Sequence, residues 1–342
     1  MKNRPSRLKD IAAKLNLSTA TVSLALRNQG RMAESTRKQI LALAEALDYQ
    51  ANPLVAQMAA NRWKPLENHP DTSLAFIRVD KLRRAKGHPW ESMFAGARDE
   101  ATKRGYKLDA FNLLDYPSSQ ALDRVLFNRG IKGLLLGRIY DETPRLKFNW
   151  DHYSVISCGS SVYKLPHHGV EPNYFTIIEQ AWDRLWKLGY RRIGVVLYNL
   201  PKPIHDDILR MGAVLACQQM IKPEHVVPPL FLEPPLSPEP IVFWYAKHSP
   251  DAIIGLNSYV WQALTQNTVW RCPQDFAYLS LFVDEGEPLS GFPAMDVRLG
   301  RAGVELLLAL IKLNLRGATR LPMWHELAPD WVDKGTCPRK RR

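Results

Sequence analysis

The stretch Arg7-Leu-Lys-Asp-Ile-Ala-Ala-Lys-Leu-Asn-Leu-Ser-Thr-Ala-Thr-Val-Ser-Leu-Ala-Leu-Arg27 decides how the start of this chain is read. Its apolar residues recur at helical spacing, Leu8, Ile11, Ala12 and Leu15 and then Val22, Ala25 and Leu26, and the series resumes with Ile40, Leu43, Ala44 and Leu47. Three short helices are predicted. Ser18 stands where the second needs an N-cap, Asn16-Leu17 makes the turn before it, and Glu34 or Ser35 starts the third. The tight turn places Thr19, Ala20, Thr21, Ser23 and Leu24 around the exposed start of the second helix. That is helix-turn-helix geometry, with a helix sized for a major groove. A plain three-helix bundle is the alternative the spacing allows.

Charge points the same way. Residues 1–64 hold eleven Lys and Arg against four acids, a net +7 of the chain's formal +12. Basic density in so small a segment suits a polyanion, although a solvated surface can look similar. A further +4 sits in the last four residues, Arg339, Lys340, Arg341 and Arg342, which read as a frayed tail.

Outward from the head, Asn52-Pro53 stops the helical pattern, Leu54 to Ala60 could form about two helical turns, and Asn61 to Asp71, with Pro65 and Pro70, reads as a linker. The expected domains are therefore 1–50 for the head, 51–71 for a hinge helix and linker, and 72–342 for the rest. Beyond Thr72 short apolar runs (73–79, 106–113, 133–137, 153–158, 192–198, 252–256, 276–281) alternate with amphipathic segments (92–104, 121–128, 174–187, 208–220). Such alternation predicts an α/β domain of parallel sheets with crossover helices, and its length calls for two lobes.

Several function classes fall away. At 342 residues, 46% hydrophobic and 23% charged, the chain is neither disordered nor fibrous, and it shows no repeat. No stretch nears the roughly 18 apolar residues that span a bilayer, and the first ten residues are polar, so no membrane partner and a cytoplasmic location are expected. Cys158, Cys217, Cys272 and Cys337 lie more than about 50 residues apart and read as buried thiols. His167-His168 lacks a partner at i+4 and reads as a loop pair, so neither metal nor other cofactor is expected. There is no Gly-x-Gly-x-x-Gly, phosphate loop or Gly-x-Ser-x-Gly, and Ser157-Cys158-Gly159-Ser160-Ser161 offers nucleophiles without a base, which argues against an enzyme.

The chain resembles the LacI/GalR family of bacterial transcription regulators. The matching stretches are Lys9-Asp10-Ile11-Ala12, Ser18-x-Ala20-Thr21-Val22-Ser23, Ser35-Thr36-Arg37 and Leu47-x-Tyr49-x-x-Asn52, then Leu188-Gly189-Tyr190-Arg191-Arg192-Ile193-Gly194, Pro250-Asp251-Ala252-Ile253 and Cys272-Pro273-x-Asp275. The resemblance implies a homodimer that binds a near-palindromic double-stranded operator, represses transcription, and answers to a small-molecule effector held in a periplasmic-binding-protein-like domain. A solute-binding receptor of that fold is the alternative, against which the basic head and the absence of a signal peptide count.

Residue by residue, the resemblance carries Thr21, Ser23, Thr36 and Arg37 over as phosphate anchors, with Arg27 and Arg31 adding charge nearby. Thr19 and Ala20 take the variable base-reading positions, and Leu24 stands where many members have an arginine that reads guanine. These side chains can meet thymine methyls but supply no bidentate fork. Asn52, Val55 and Met58 belong to the hinge, which the family folds only on DNA; Met58 is in the place of a leucine wedge, and a core methionine is the competing reading. For the effector cleft it carries over Trp90 as an aromatic platform, Arg210 as the grip on a polar ligand, and Asn257 as a polar lining residue. Each could instead cap or pack. Asn173 replaces a usual aspartate, and Phe282 an aspartate that takes sugar hydroxyls, so the expected ligand is a small anion or polar molecule with a flat portion, or the site has lost its effector.

Overall fold

The computed structural model describes residues 8–26, 32–47, 49, 73–79, 89–137, 146–159, 165–199 and 204–340. The chain divides into two compact units, Met1–Glu67 and Asn68–Arg342.

In the first unit, α1 (Leu8–Lys14), α2 (Thr19–Leu26) and α3 (Glu34–Ala46) surround a core of Ile11, Ala12, Val22, Ala25, Ile40 and Ala44, so the apolar series seen in the sequence is the core. The α1–α2 turn closes with the Leu17 amide donating to the Ala12 carbonyl at 2.9 Å, and Asn16 takes a left-handed φ of 53°, a conformation its short polar side chain tolerates. Ser18 caps α2: its Oγ accepts the Thr21 amide at 3.0 Å. The third helix begins at Glu34, after Ala33, without a side-chain cap.

The second unit is α/β with two parallel sheets. The first has order β2-β1-β3-β4-β5-β11, built from β1 (Ser73–Arg78), β2 (Lys107–Asn112), β3 (Gly133–Leu136), β4 (Ser154–Cys158), β5 (His168–Pro172) and β11 (Trp324–Leu327). The second has order β10-β9-β8-β6-β7, from β6 (Ile193–Tyr198), β7 (Leu230–Leu232), β8 (Ala252–Gly255), β9 (Ala277–Val283) and β10 (Ser290–Pro293). Strand alternation feeds two cores per sheet. In β1, Leu74 and Phe76 face α4 (Pro89–Lys103) and α10 (Asp296–Lys312), while Ala75 and Ile77 face α5 (Ser119–Asn128). In the second lobe Val195 and Ile254 pack on α6 (Tyr174–Lys187) and α7 (His205–Gln219); Val196 and Ile253 pack on α8 (Glu239–His248) and α9 (Ser258–Asn267).

The chain passes between the lobes after β5, after β10 and after β11, because α10 and β11 return to the first lobe and residues 330–340 close on the second. Helices α4 and α10 cross closely enough that a methyl on Gly300 would strike the Met93 carbonyl and one on Gly96 the Val297 carbonyl.

Two expectations are corrected. His167-His168 is no loop pair: His168 opens β5, and His167 is buried against Trp150 with ring centroids 4.4 Å apart. The tail is pinned as far as Lys340, whose amide donates to the Leu188 carbonyl and whose Nζ lies 2.7 Å from Asp251. No helix among the described residues is long and apolar enough to cross a membrane.

Candidate nucleic-acid interface and ligand cleft

Helix α2 turns Val22 and Ala25 into the core, which leaves the opposite face outward: Thr19 and Leu24 are exposed, Thr21 and Ser23 half-buried. Positions 19 and 23 are one turn apart, which sets Thr19 and Ser23 side by side on this face of the helix. Ala20 lies within α2. The Thr21 hydroxyl is 2.8 Å from that of Ser18, so the cap holds it. Thr36 and Arg37 sit half-buried in the first turn of α3. The outward face carries methyls and hydroxyls, and Lys9, Lys14 and Lys38 are exposed on the same unit. Arg27, Arg31, Asn52, Val55 and Met58 lie outside the described residues.

In the second unit the five expected cleft residues sit at strand ends or at the starts of the helices that follow, where open parallel sheets bind ligands. Their polar atoms are more committed than the sequence suggested. The Asn173 Oδ1 caps α6 by accepting the Thr176 amide at 2.8 Å, and its Nδ2 donates to Glu326 of β11. The Asn257 Oδ1 accepts from the Tyr198 hydroxyl and the Tyr259 amide, both at 3.1 Å, which makes it the cap of α9. Trp90 carries the Arg78 guanidinium 4.0 Å above its ring, so one face of the expected platform is covered.

Arg210 and Phe282 do come together. The Arg210 guanidinium lies 4.3 Å from the Tyr174 ring centre and 5.3 Å from that of Phe282. Its Nη1 is 2.7 Å from Asp207 Oδ1 and its Nη2 is 4.0 Å from Asp206 Oδ2. The expectation of a free anion grip is corrected here: the charge of Arg210 is already matched by carboxylates of its own helix. A ligand anion would have to displace Asp207.

Three acids gather near Arg210. Glu171, at the end of β5 in the first lobe, is 5% exposed, and Asp206, in the first turn of α7 in the second, is 6% exposed. Burial first, and then the carboxylates of Asp206 and Glu326, push the Glu171 carboxyl up to about 7. Burial likewise raises Asp207, against the pull of Arg210. Sequence reasoning missed all three, although Asp206 and Asp207 precede Arg210 by four and three residues, a spacing that brings acids onto an arginine along one helix face.

A model of the "Bacterial regulatory proteins, lacI family" matches residues 7–52. Over 97% of both chains the protein is 26% identical to the HTH-type transcriptional repressor MelR of Bacillus subtilis (strain 168). Similar solved structures include a transcriptional regulator CelR–cellobiose complex (TM-score 0.55, 16% identity, 97% of this chain and all of that one). A lac repressor dimer bound to operator and the anti-inducer ONPF matches over 98% of this chain and all of its own (TM-score 0.56, 16% identity). A putative LacI-family regulator from Rhizobium etli matches 78% of this chain and 99% of its own at TM-score 0.60 and 18% identity. With a lacI-family head over residues 7–52 and a two-lobed parallel α/β unit behind it, the chain is similar along its length to LacI-type regulators and shares their fold: it is a DNA-binding transcription regulator with an effector-type domain.

Proposed function

We propose that the protein represses transcription by occupying a near-palindromic operator as a homodimer, and that a small molecule in the cleft changes its hold on DNA. The observation that carries this is the outward face of α2, fixed from behind by Val22 and Ala25 and presenting Thr19, Ser23 and Leu24. Thr21, Ser23, Thr36 and Arg37, with Arg27 and Arg31, anchor phosphates; Thr19, Ala20 and Leu24 face bases. Asn52, Val55 and Met58 supply the hinge, with Met58 as the wedge in a central step. In the second unit Trp90, Asn173, Arg210, Asn257 and Phe282 shape the cleft, the first four chiefly by holding its walls. The similarity to a repressor in MelR, to a cellobiose complex and to an operator-bound dimer supports repression, a small effector and pairing. The protein works on DNA in the cytoplasm as a binder rather than an enzyme.

The test is selection of bound sequences from random duplex DNA by the full-length protein. A motif with two inverted half-sites, bound by two copies of the chain, is expected. Recovery of a single unpaired half-site, or of no motif, overturns the proposal.

A further inference from the structure

Buried polar groups in folded proteins find partners, and a group without one needs an explanation. Glu171 Oε2, Asp206 Oδ1 and Asp207 Oδ2 are all buried and, among the described residues, without a hydrogen-bond partner. They come from both lobes: Glu171 from the end of β5, the two aspartates from the start of α7. The described charges that act on Glu171, namely Asp206 and Glu326, are both negative. Arg210 is the described cation paired with the aspartates, and its guanidinium is spent on Asp207 and two rings. Among the described residues the acids here therefore outnumber the cations, and acceptors outnumber donors. Nor do these acids converge as metal ligands do: among the described residues no three His, Cys, Asp or Glu are placed to hold an ion.

What satisfies acceptors from both lobes at once is a donor-rich molecule between them, and what offsets the charge is a cation. Resting on the effector role proposed above, we propose that the cleft takes a hydroxylated ammonium of amino-sugar size, its cationic nitrogen held between Glu171 and the Asp206–Asp207 pair and its hydroxyls given to the remaining carboxylate oxygens. Charge-assisted bonds of this kind are roughly twice as strong as neutral ones. Anions are turned away by the same excess, and neutral sugars fill the acceptors without offsetting the charge. Because Glu171 titrates near neutrality, an arriving cation drives it to the ionised form, and binding releases protons.

Calorimetry on the full-length protein tests this with three probes of one ring: D-glucosamine, D-glucose and D-glucose 6-phosphate, at pH 7 in buffers of different ionisation enthalpy. Glucosamine is expected to bind at least about tenfold more tightly than glucose, with proton release, and the phosphate most weakly. Glu171→Gln should abolish the proton release and cut the preference to under about threefold, and Asp207→Asn should cut it as well. Both variants keep the shape of the side chain, and circular dichroism checks their folding. Equal or tighter binding of glucose or its phosphate overturns the proposal. So does the absence of heat with all three probes; operator binding retained in that same sample would show that the DNA-binding role stands while the ligand class fails.

Discussion

Leu24 shows how much one side chain decides in the head. It is exposed on the outward face of α2, and leucine can meet a thymine methyl but cannot fork to the O6 and N7 of guanine. Leu24→Arg should shift the selected operator towards a guanine in each half-site, by about 1 to 3 kcal/mol of discrimination. An unchanged motif would show that position 24 does not face bases. His167 is the corresponding case inside the second unit. Burial, partly opposed by the Gly317 backbone, lowers it from its ordinary range to about 4, so the folded protein keeps it neutral while the unfolded chain takes up a proton below about 6.5. Its contribution to stability is therefore whole at neutral pH and lost as pH falls from about 6.5 towards 4. In His167→Phe the fall in melting temperature between pH 7 and pH 4.5 should be smaller, by on the order of 2 kcal/mol in stability. An identical acid slope in both proteins would refute the assignment.

Among the elements, the α4–α10 crossing depends on what is missing from it. Gly96 and Gly300 let two helix backbones touch, and the returning helix α10 covers one face of the first sheet through Leu299, Val304, Leu307 and Leu308. Gly300→Ala should destabilise the second unit by about 1 to 3 kcal/mol, since the methyl meets backbone that cannot swing aside. Urea denaturation measures it, and an unchanged midpoint would mean that the helices separate freely. In the hinge, Met58→Ala should weaken binding to the selected operator and reduce its bend while leaving random duplex almost unaffected, because a wedge stabilises only a kinked step. Equal losses on both DNAs would assign Met58 to a core.

For the molecule as a whole, the basic residues concentrated in one compact unit should make affinity fall with salt, log affinity against log salt having a slope of about 0.9 per phosphate neutralised. Removing residues 1–67 should abolish duplex binding and leave residues 68–342 folded, since that unit has its own sheets and cores. A truncated protein that still shifts the operator would move the DNA contact elsewhere. Melting curves and gel shifts on the same preparation give both answers.

Local pattern sufficed for the head. Its helices are short, their apolar period is unbroken, and Ser18 and Asn16 mark the turn by their own chemistry, so Ile11, Val22 and Ile40 are recognisable as core from the sequence. The strands β1 to β4, β6, β8 and β9 were legible for the same reason, as apolar runs bounded by turn residues. Strands β5, β10 and β11 were not: His168–Pro172 and Trp324–Leu327 carry charged residues, and only pairing with neighbours far along the chain makes them strands. Helix α10 was missed though amphipathic, and its return to the first lobe rests on Gly96 meeting Val297 and Gly300 meeting Met93 across some two hundred residues, which no local spacing encodes. The cleft divides likewise. Sequence named Arg210 and Phe282, which the fold stacks together, but the charge balance around them was invisible, because Glu171 reaches Asp206 and Glu326 only through the parallel register of β5 with β11 and the meeting of two lobes. Electrostatic environment is a property of spatial neighbours, so tertiary structure alone showed that Arg210 is paired with Asp207 of its own helix rather than free to grip an anion.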